Sequence, residues 1–102
     1  MTNNINHINI NHKLFPKQLL QIKYPPKQLY VAGGNLNNNL PKVAIIGSRK
    51  PTLYGQKVVK DIASKLARAG VIIISGLAYG IDSMAQQAAV EAGGITWAVL
   101  AG

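Results

Sequence analysis

Beyond Pro41 the chain holds three short runs of apolar, largely β-branched residues, Lys42 to Ile46, Val71 to Ile74 and Ile95 to Leu100, separated by segments of helical periodicity. Runs without polar alternation are strands covered on both faces, as in parallel sheets. In the first intervening segment Val58, Val59, Ile62, Ala63, Leu66 and Ala69 recur three or four apart, with Lys57, Lys60, Asp61, Ser64, Lys65 and Arg68 on the other face. That predicts an amphipathic helix from about Gly55, capped by Thr52 and stopped by Gly70, with Asp61 and Lys65 spaced to pair. A second helix, capped by Asp82 or Ser83, runs to about Ala92. Its small residues, Ala85, Ala88, Ala89 and Ala92, permit close approach to a sheet, and Gly93-Gly94 closes it. The connections are too long for hairpins, so the order βαβαβ implies a parallel sheet with right-handed crossovers. The class is α/β, one half of a doubly wound domain. Three strands leave an edge and part of a helix-packing face uncovered, so residues 42–102 are expected to be a truncated core whose missing surface comes from further chain or a partner.

The front of the chain is less regular. Residues 1–12 alternate Asn with Ile at a period near two, but Asn disfavours strands and no neighbouring hairpin partner follows. Residues 1–14 are therefore read as a disordered leader. Residues 15–41 are read as a proline-containing lead-in and linker. Within it Leu19, Leu20 and Ile22 predict one helical turn, Tyr24-Pro25-Pro26 forces an extended path, and Gln28 to Ala32 is a short strand. Gly33 to Pro41 is loop by composition.

Charge points to an anionic partner. Eleven Lys and Arg face three acids, for a net charge of +8, of which residues 1–42 contribute +5. The absence of cysteine excludes a disulfide framework, a thiolate metal cluster and a cysteine nucleophile, and fits a reducing compartment. His7 and His12 are the only histidines and both precede residue 13, so no Ser-His-Asp set can be assembled, and the three carboxylates form no obvious acid/base pair. Neither catalysis, a metal nor a cofactor is expected. No stretch approaches the roughly 20 apolar residues that span a bilayer, and the N-terminus lacks the pattern of a signal peptide, so a cytoplasmic location without membrane contact is expected.

Ligands of open parallel sheets gather outside the carboxyl ends of the strands. Two loops fall there. Gly47-Ser48-Arg49-Lys50-Pro51-Thr52 offers a close-approach glycine, a hydroxyl and a guanidinium able to grip phosphate. Ser75-Gly76-Leu77-Ala78-Tyr79-Gly80-Ile81-Asp82 resembles an anion nest entering a helix. The bland readings stand beside these: glycines that only turn the chain, Arg49 bonding strand ends, and a lysine-rich helix face that is merely solvated. Asp82 is read as a helix cap rather than a base. Tyr54 and Tyr79 are either stacking platforms for bases or covers of a core edge. Trp97 is read as core. No phosphate-loop motif and no dinucleotide fingerprint is present.

Val43 to Gly55 (VAIIGSRKPTLYG), Ile74 to Asp82 (ISGLAYGID) and Gly93 to Leu100 together resemble the first half of the Rossmann-like core of the DNA-processing protein A (DprA/Smf) family. The stretch Phe15 to Gly33 is similar to that family's lead-in. The resemblance implies a bacterial cytoplasmic protein, not an enzyme, that binds single-stranded DNA and helps load a RecA-type recombinase during natural transformation, with a homodimer in full-length members. It implies DNA-contacting roles for Gly47, Ser48, Arg49 and Lys50 in the first loop and for Ser75, Gly76, Gly80, Ile81 and Asp82 in the second. Tyr79 stands where the family usually has arginine, and Gln86-Gln87 where it has His-Arg, which removes positive charge beside the pocket. The runner-up is a nucleotide-binding or nucleotide-hydrolysing enzyme on the related scaffold, although that group's P-G-G-x-G-T-x-x-E motif has no match.

Overall fold

The computed structural model describes residues 5–13, 15–32 and 39–100. The chain divides into two compact units, residues 1–39 and 40–102. In the first, β1 (Ile5–Asn9) pairs antiparallel with β2 (Gln28–Ala32), and a 3-10 turn spans Lys17–Gln21. This corrects the disordered-leader reading for residues 5–9. The strand partner lies across the proline-containing stretch rather than in an adjacent hairpin. Ile8 anchors the pair: it sits opposite Leu29 and is buried, so the apolar alternation finds a core to face. Residues 1–4 of that leader, Leu14, and Gly33 to Leu36 with Asn37 and Asn38 of the expected loop lie outside the described residues.

The second unit has the expected βαβαβ order. β3 (Lys42–Ala44), β4 (Ile72–Ser75) and β5 (Thr96–Ala98) form a parallel sheet with β4 in the middle. α1 (Leu53–Arg68) and α2 (Ile81–Glu91) connect them. Successive right-handed crossovers between neighbouring strands put both helices on one face, and α1 and α2 pack against each other and on β4. The core joins Val59, Ala63 and Ala67 of α1 to Ala85, Ala88 and Ala89 of α2 over Ile73. The small residues of α2, expected to approach the sheet, pack on α1 as well as on β4. The other face of the sheet carries Lys42 and Trp97; the Lys42 ammonium stands 5.4 Å from the indole centroid, and Trp97 is half-buried rather than enclosed.

The ends of α1 are built as the sequence indicates. Thr52 Oγ1 accepts a hydrogen bond from the Gly55 N–H at 3.0 Å, which caps the helix. Asp61 and Lys65 pair at 3.1 Å on the exposed face, a contact of little energetic weight. Thr52→Ala is expected to lower the unfolding free energy by about 1 kcal/mol. Thr52→Ser should keep it, and parallel urea titrations of the two variants check this.

Candidate nucleic-acid interface

The two loops that follow β3 and β4 meet directly. Gly80, at the N-terminus of α2, adopts a φ of +87° and lies so close to the first loop that a Cβ there would overlap the Ser48 carbonyl oxygen and stand 2.7 Å from Arg49 Cα. The Ser48 carbonyl accepts the Ile81 N–H at 3.0 Å, and a Cβ on Gly47 would stand 2.8 Å from the Ile81 side chain. The first loop is thus seated on the start of α2, backbone against backbone.

Asp82 fastens the arrangement. It is 6 % exposed, and its two carboxylate oxygens accept one N–H from each loop, Gly47 at 3.2 Å and Gly76 at 3.3 Å. Burial works against its charged form. Hydrogen bonding by the Ser75 hydroxyl and by the N–H groups of Gly47, Gly76 and Asp82 itself outweighs this and holds the carboxyl below the ordinary aspartate range. The Ser75 hydroxyl has a single proton to divide between this carboxylate and the Ile45 carbonyl, to which it donates at 2.6 Å. Asp82 also lies in the first turn of α2, where a negative charge complements the helix dipole.

Two expectations are corrected by this geometry. Asp82 does not cap α2, whose N-cap is Gly80 with no side-chain bond; its oxygens are turned instead to the strand-end glycines. The nest expected at Gly76 is already filled, because an internal carboxylate takes the N–H groups of both Gly76 and Gly47. Ser75 and Asp82 are buried, so of the nine candidate residues they are the internal fasteners, while Gly76, Gly80 and Ile81 are half-buried.

What faces outward is the first loop. Gly47, Ser48, Arg49 and Lys50 are all exposed, and Ser48 Oγ accepts the Lys50 N–H at 3.0 Å in a local turn. The Arg49 guanidinium and the Lys50 ammonium have no hydrogen bond or ion pair among the described residues. The reading of Arg49 as a tie between strand ends is therefore not what the structure shows. Tyr54 and Tyr79 are 77 % and 83 % exposed, so neither covers a core edge.

Sequence reasoning missed Gln86. Taken as a lost charge beside the pocket, it is in fact buried: its side-chain oxygen accepts the Leu77 N–H at 2.9 Å, and its nitrogen donates to the Trp97 carbonyl and to Thr96 Oγ1. It braces Leu77, which holds a left-handed φ of 58° in the second loop. Gln87 alone is on the surface, bonded to Glu91. Among the described residues no three His, Asp or Glu side chains stand together as a metal site, and no helix is long and apolar enough to cross a membrane.

A parallel three-strand sheet with both helices on one face, and with loops locked into a crest at the carboxyl ends of adjacent strands, defines a Rossmann-like half-domain. Comparison with known proteins narrows the class. The chain belongs to the family described as DNA recombination-mediator protein A, whose sequence pattern matches residues 6–102. It is 41 % identical over 99 residues to the DNA processing protein DprA of Bacillus subtilis, covering 96 % of this chain and 33 % of that protein. It is 38 % identical over 88 residues to the protein Smf of Escherichia coli, covering 86 % of this chain and 24 % of that protein. The X-ray structure of DNA processing protein A from Streptococcus pneumoniae superposes with a TM-score of 0.83 at 37 % identity, over 94 % of this chain and 34 % of the other. A structure of the Helicobacter pylori DNA processing protein A, described for its single-stranded DNA binding mode, gives 0.79 at 35 %, over 98 % and 45 %. The chain spans about a third of the length of the Bacillus subtilis relative.

Proposed function

We propose that the chain binds single-stranded DNA at the crest formed by its two strand-end loops, with Arg49 and Lys50 as phosphate contacts. The observation that carries this reading is the pair of exposed cations on a loop seated firmly against α2, without a hydrogen-bond or ion-pair partner among the described residues. A guanidinium held on a fixed backbone grips phosphate with little ordering cost, and flanking exposed tyrosines offer faces on which bases stack regardless of sequence. Gly47, Ser48, Gly80 and Ile81 fix the backbone that aims the cations, and Ser75, Gly76 and Asp82 lock that backbone from within. In the whole cytoplasmic protein this binding serves to present DNA to a RecA-type recombinase; the family's description as a recombination mediator supports that role, and the single-stranded DNA binding mode described for the Helicobacter pylori relative supports the binding itself. No chemistry on the DNA is proposed.

The nucleotide-hydrolysing alternative needs a free carboxylate at the crest. Asp82 has both oxygens engaged inside, and Glu91 ends α2, about 15 Å along the helix from its start. Fluorescence anisotropy with labelled oligo-dT at several salt concentrations tests the proposal. Affinity should fall steeply as salt rises. Arg49→Ala should weaken binding about tenfold or more and flatten the log–log salt slope by about 0.7, the share of one phosphate contact on a single strand. Salt-independent binding, a preference for duplex, or an Arg49→Ala variant that binds like the parent would count against it.

A further inference from the structure

The β1–β2 pair has one face turned inward through Ile8 and one turned outward. On the outward face His7 lies opposite Tyr30, their rings stacked with centroids 5.1 Å apart, and His7 Nε2 is hydrogen-bonded to the side-chain oxygen of Gln28. Tyr30 is nevertheless 71 % exposed. The ladder continues past β2, because the Ile10 N–H donates to the Lys27 carbonyl at 3.2 Å. Beyond it, across Pro25-Pro26, Tyr24 is 81 % exposed with the Lys23 ammonium 5.6 Å from its ring centroid. Residues 1–42 hold five lysines and no acid. Two exposed phenol rings, one held by a strand and a stacked neighbour and the other carried beside a proline pair, in a segment that has lysines and no acid, have the composition of a platform for unpaired bases.

We propose that Tyr30, supported by His7, and Tyr24, flanked by Lys23 and Lys27, form a stacking surface for bases of single-stranded nucleic acid. The proposal rests on the reading that the chain binds such strands, but on residues of the other compact unit. The rings lose little freedom when a base stacks on them, and every base has a face to offer, so contact here adds affinity without sequence preference. The lysines add backbone attraction that salt screens.

Photocrosslinking tests this on the whole chain, using an oligo-dT that carries 5-iodouracil, with the crosslinked peptides mapped by mass spectrometry. Anisotropy is then measured for Tyr30→Ala, Tyr30→Phe, Tyr24→Ala and Arg49→Ala. Crosslinks at Tyr24 or Tyr30 are expected. Tyr24→Ala and Tyr30→Ala should each bind about 5- to 150-fold more weakly, the range for one lost stacking partner, with the salt slope unchanged because no charge is removed. Tyr30→Phe should bind like the parent. If Tyr30→Ala disturbs the β1–β2 pair by circular dichroism, Tyr24→Ala, outside the ladder, and the crosslink map still decide. Parent-like binding by Tyr24→Ala and Tyr30→Ala, or crosslinks confined to residues 40–102, would overturn the proposal. Loss with Arg49→Ala alone would leave the crest reading standing without it, and loss with the tyrosine variants alone would do the reverse.

Discussion

Gly80→Ala is expected to abolish the joined-loop arrangement and with it DNA binding. Two independent costs meet at this residue. A φ of +87° is strained for any residue with a Cβ, by about 1 kcal/mol or more. The new carbon would also overlap the Ser48 carbonyl oxygen and press on Arg49 Cα and its carbonyl carbon, both 2.7 Å away. Those obstacles are backbone, so they cannot be relieved by turning a side chain. Either the first loop lifts from α2, breaking the Ile81 N–H to Ser48 carbonyl bond, or the unit unfolds. Gly76→Ala is the matched control: its Cβ would meet Asp82 Oδ2 at 3.5 Å and the Val99 carbonyl at 3.7 Å, both ordinary contacts. Thermal melts and oligo-dT binding of the two variants should therefore diverge. Gly80→Ala loses stability by about 3 kcal/mol or more together with binding, while Gly76→Ala keeps both.

Asp82→Asn should be nearly as damaging, through chemistry rather than shape. The amide keeps one acceptor oxygen for two N–H groups, so either Gly47 or Gly76 loses its acceptor and its N–H faces another donor. A cost of about 2 to 4 kcal/mol is expected from the lost charged hydrogen bonds and the stranded group. The pH dependence follows from the lowered pKa. Above the ordinary aspartate range the carboxyl is charged in folded and unfolded chains alike, and its full contribution is present. As pH falls below that range the unfolded chain takes up the proton first, so stability declines, and the contribution is gone once pH passes below the depressed folded value. Denaturant midpoints measured downward from neutral pH should show this acid loss in the parent and a smaller one in Asp82→Asn. Equal acid sensitivity would mean that the carboxylate does not bridge the loops.

How much of this was legible beforehand depended on the range of the interaction. The α/β order, the Thr52 cap, the Asp61–Lys65 pair and the small face of α2 are all encoded within a few residues of sequence, where period and spacing determine them. β1 was misread for the opposite reason: its partner β2 lies beyond two prolines and a 3-10 turn, and the value of an Asn-rich strand rests on Ile8 finding a core that periodicity cannot display. That the two strand-end loops meet was legible, but not their internal wiring. A lone Asp after a glycine in the first turn of a helix reads as a cap, because its real partner, Gly47, is 35 residues away. Gln86 is the same case. On a helix it looks like surface, and only the placement of Leu77, Thr96 and Trp97 around it reveals a brace.

The central claim is that the two loops act as one rigid crest whose exposed guanidinium receives a DNA phosphate. The most direct measurement is a 1H–15N spectrum of the chain, including the arginine Nε–H signals, recorded while unlabelled oligo-dT is added. The account predicts that the Arg49 side-chain signal and the backbone signals of Ser48, Arg49 and Gly80 shift together with one shared saturation curve. DNA binding that leaves the Arg49 side-chain signal in place would contradict it.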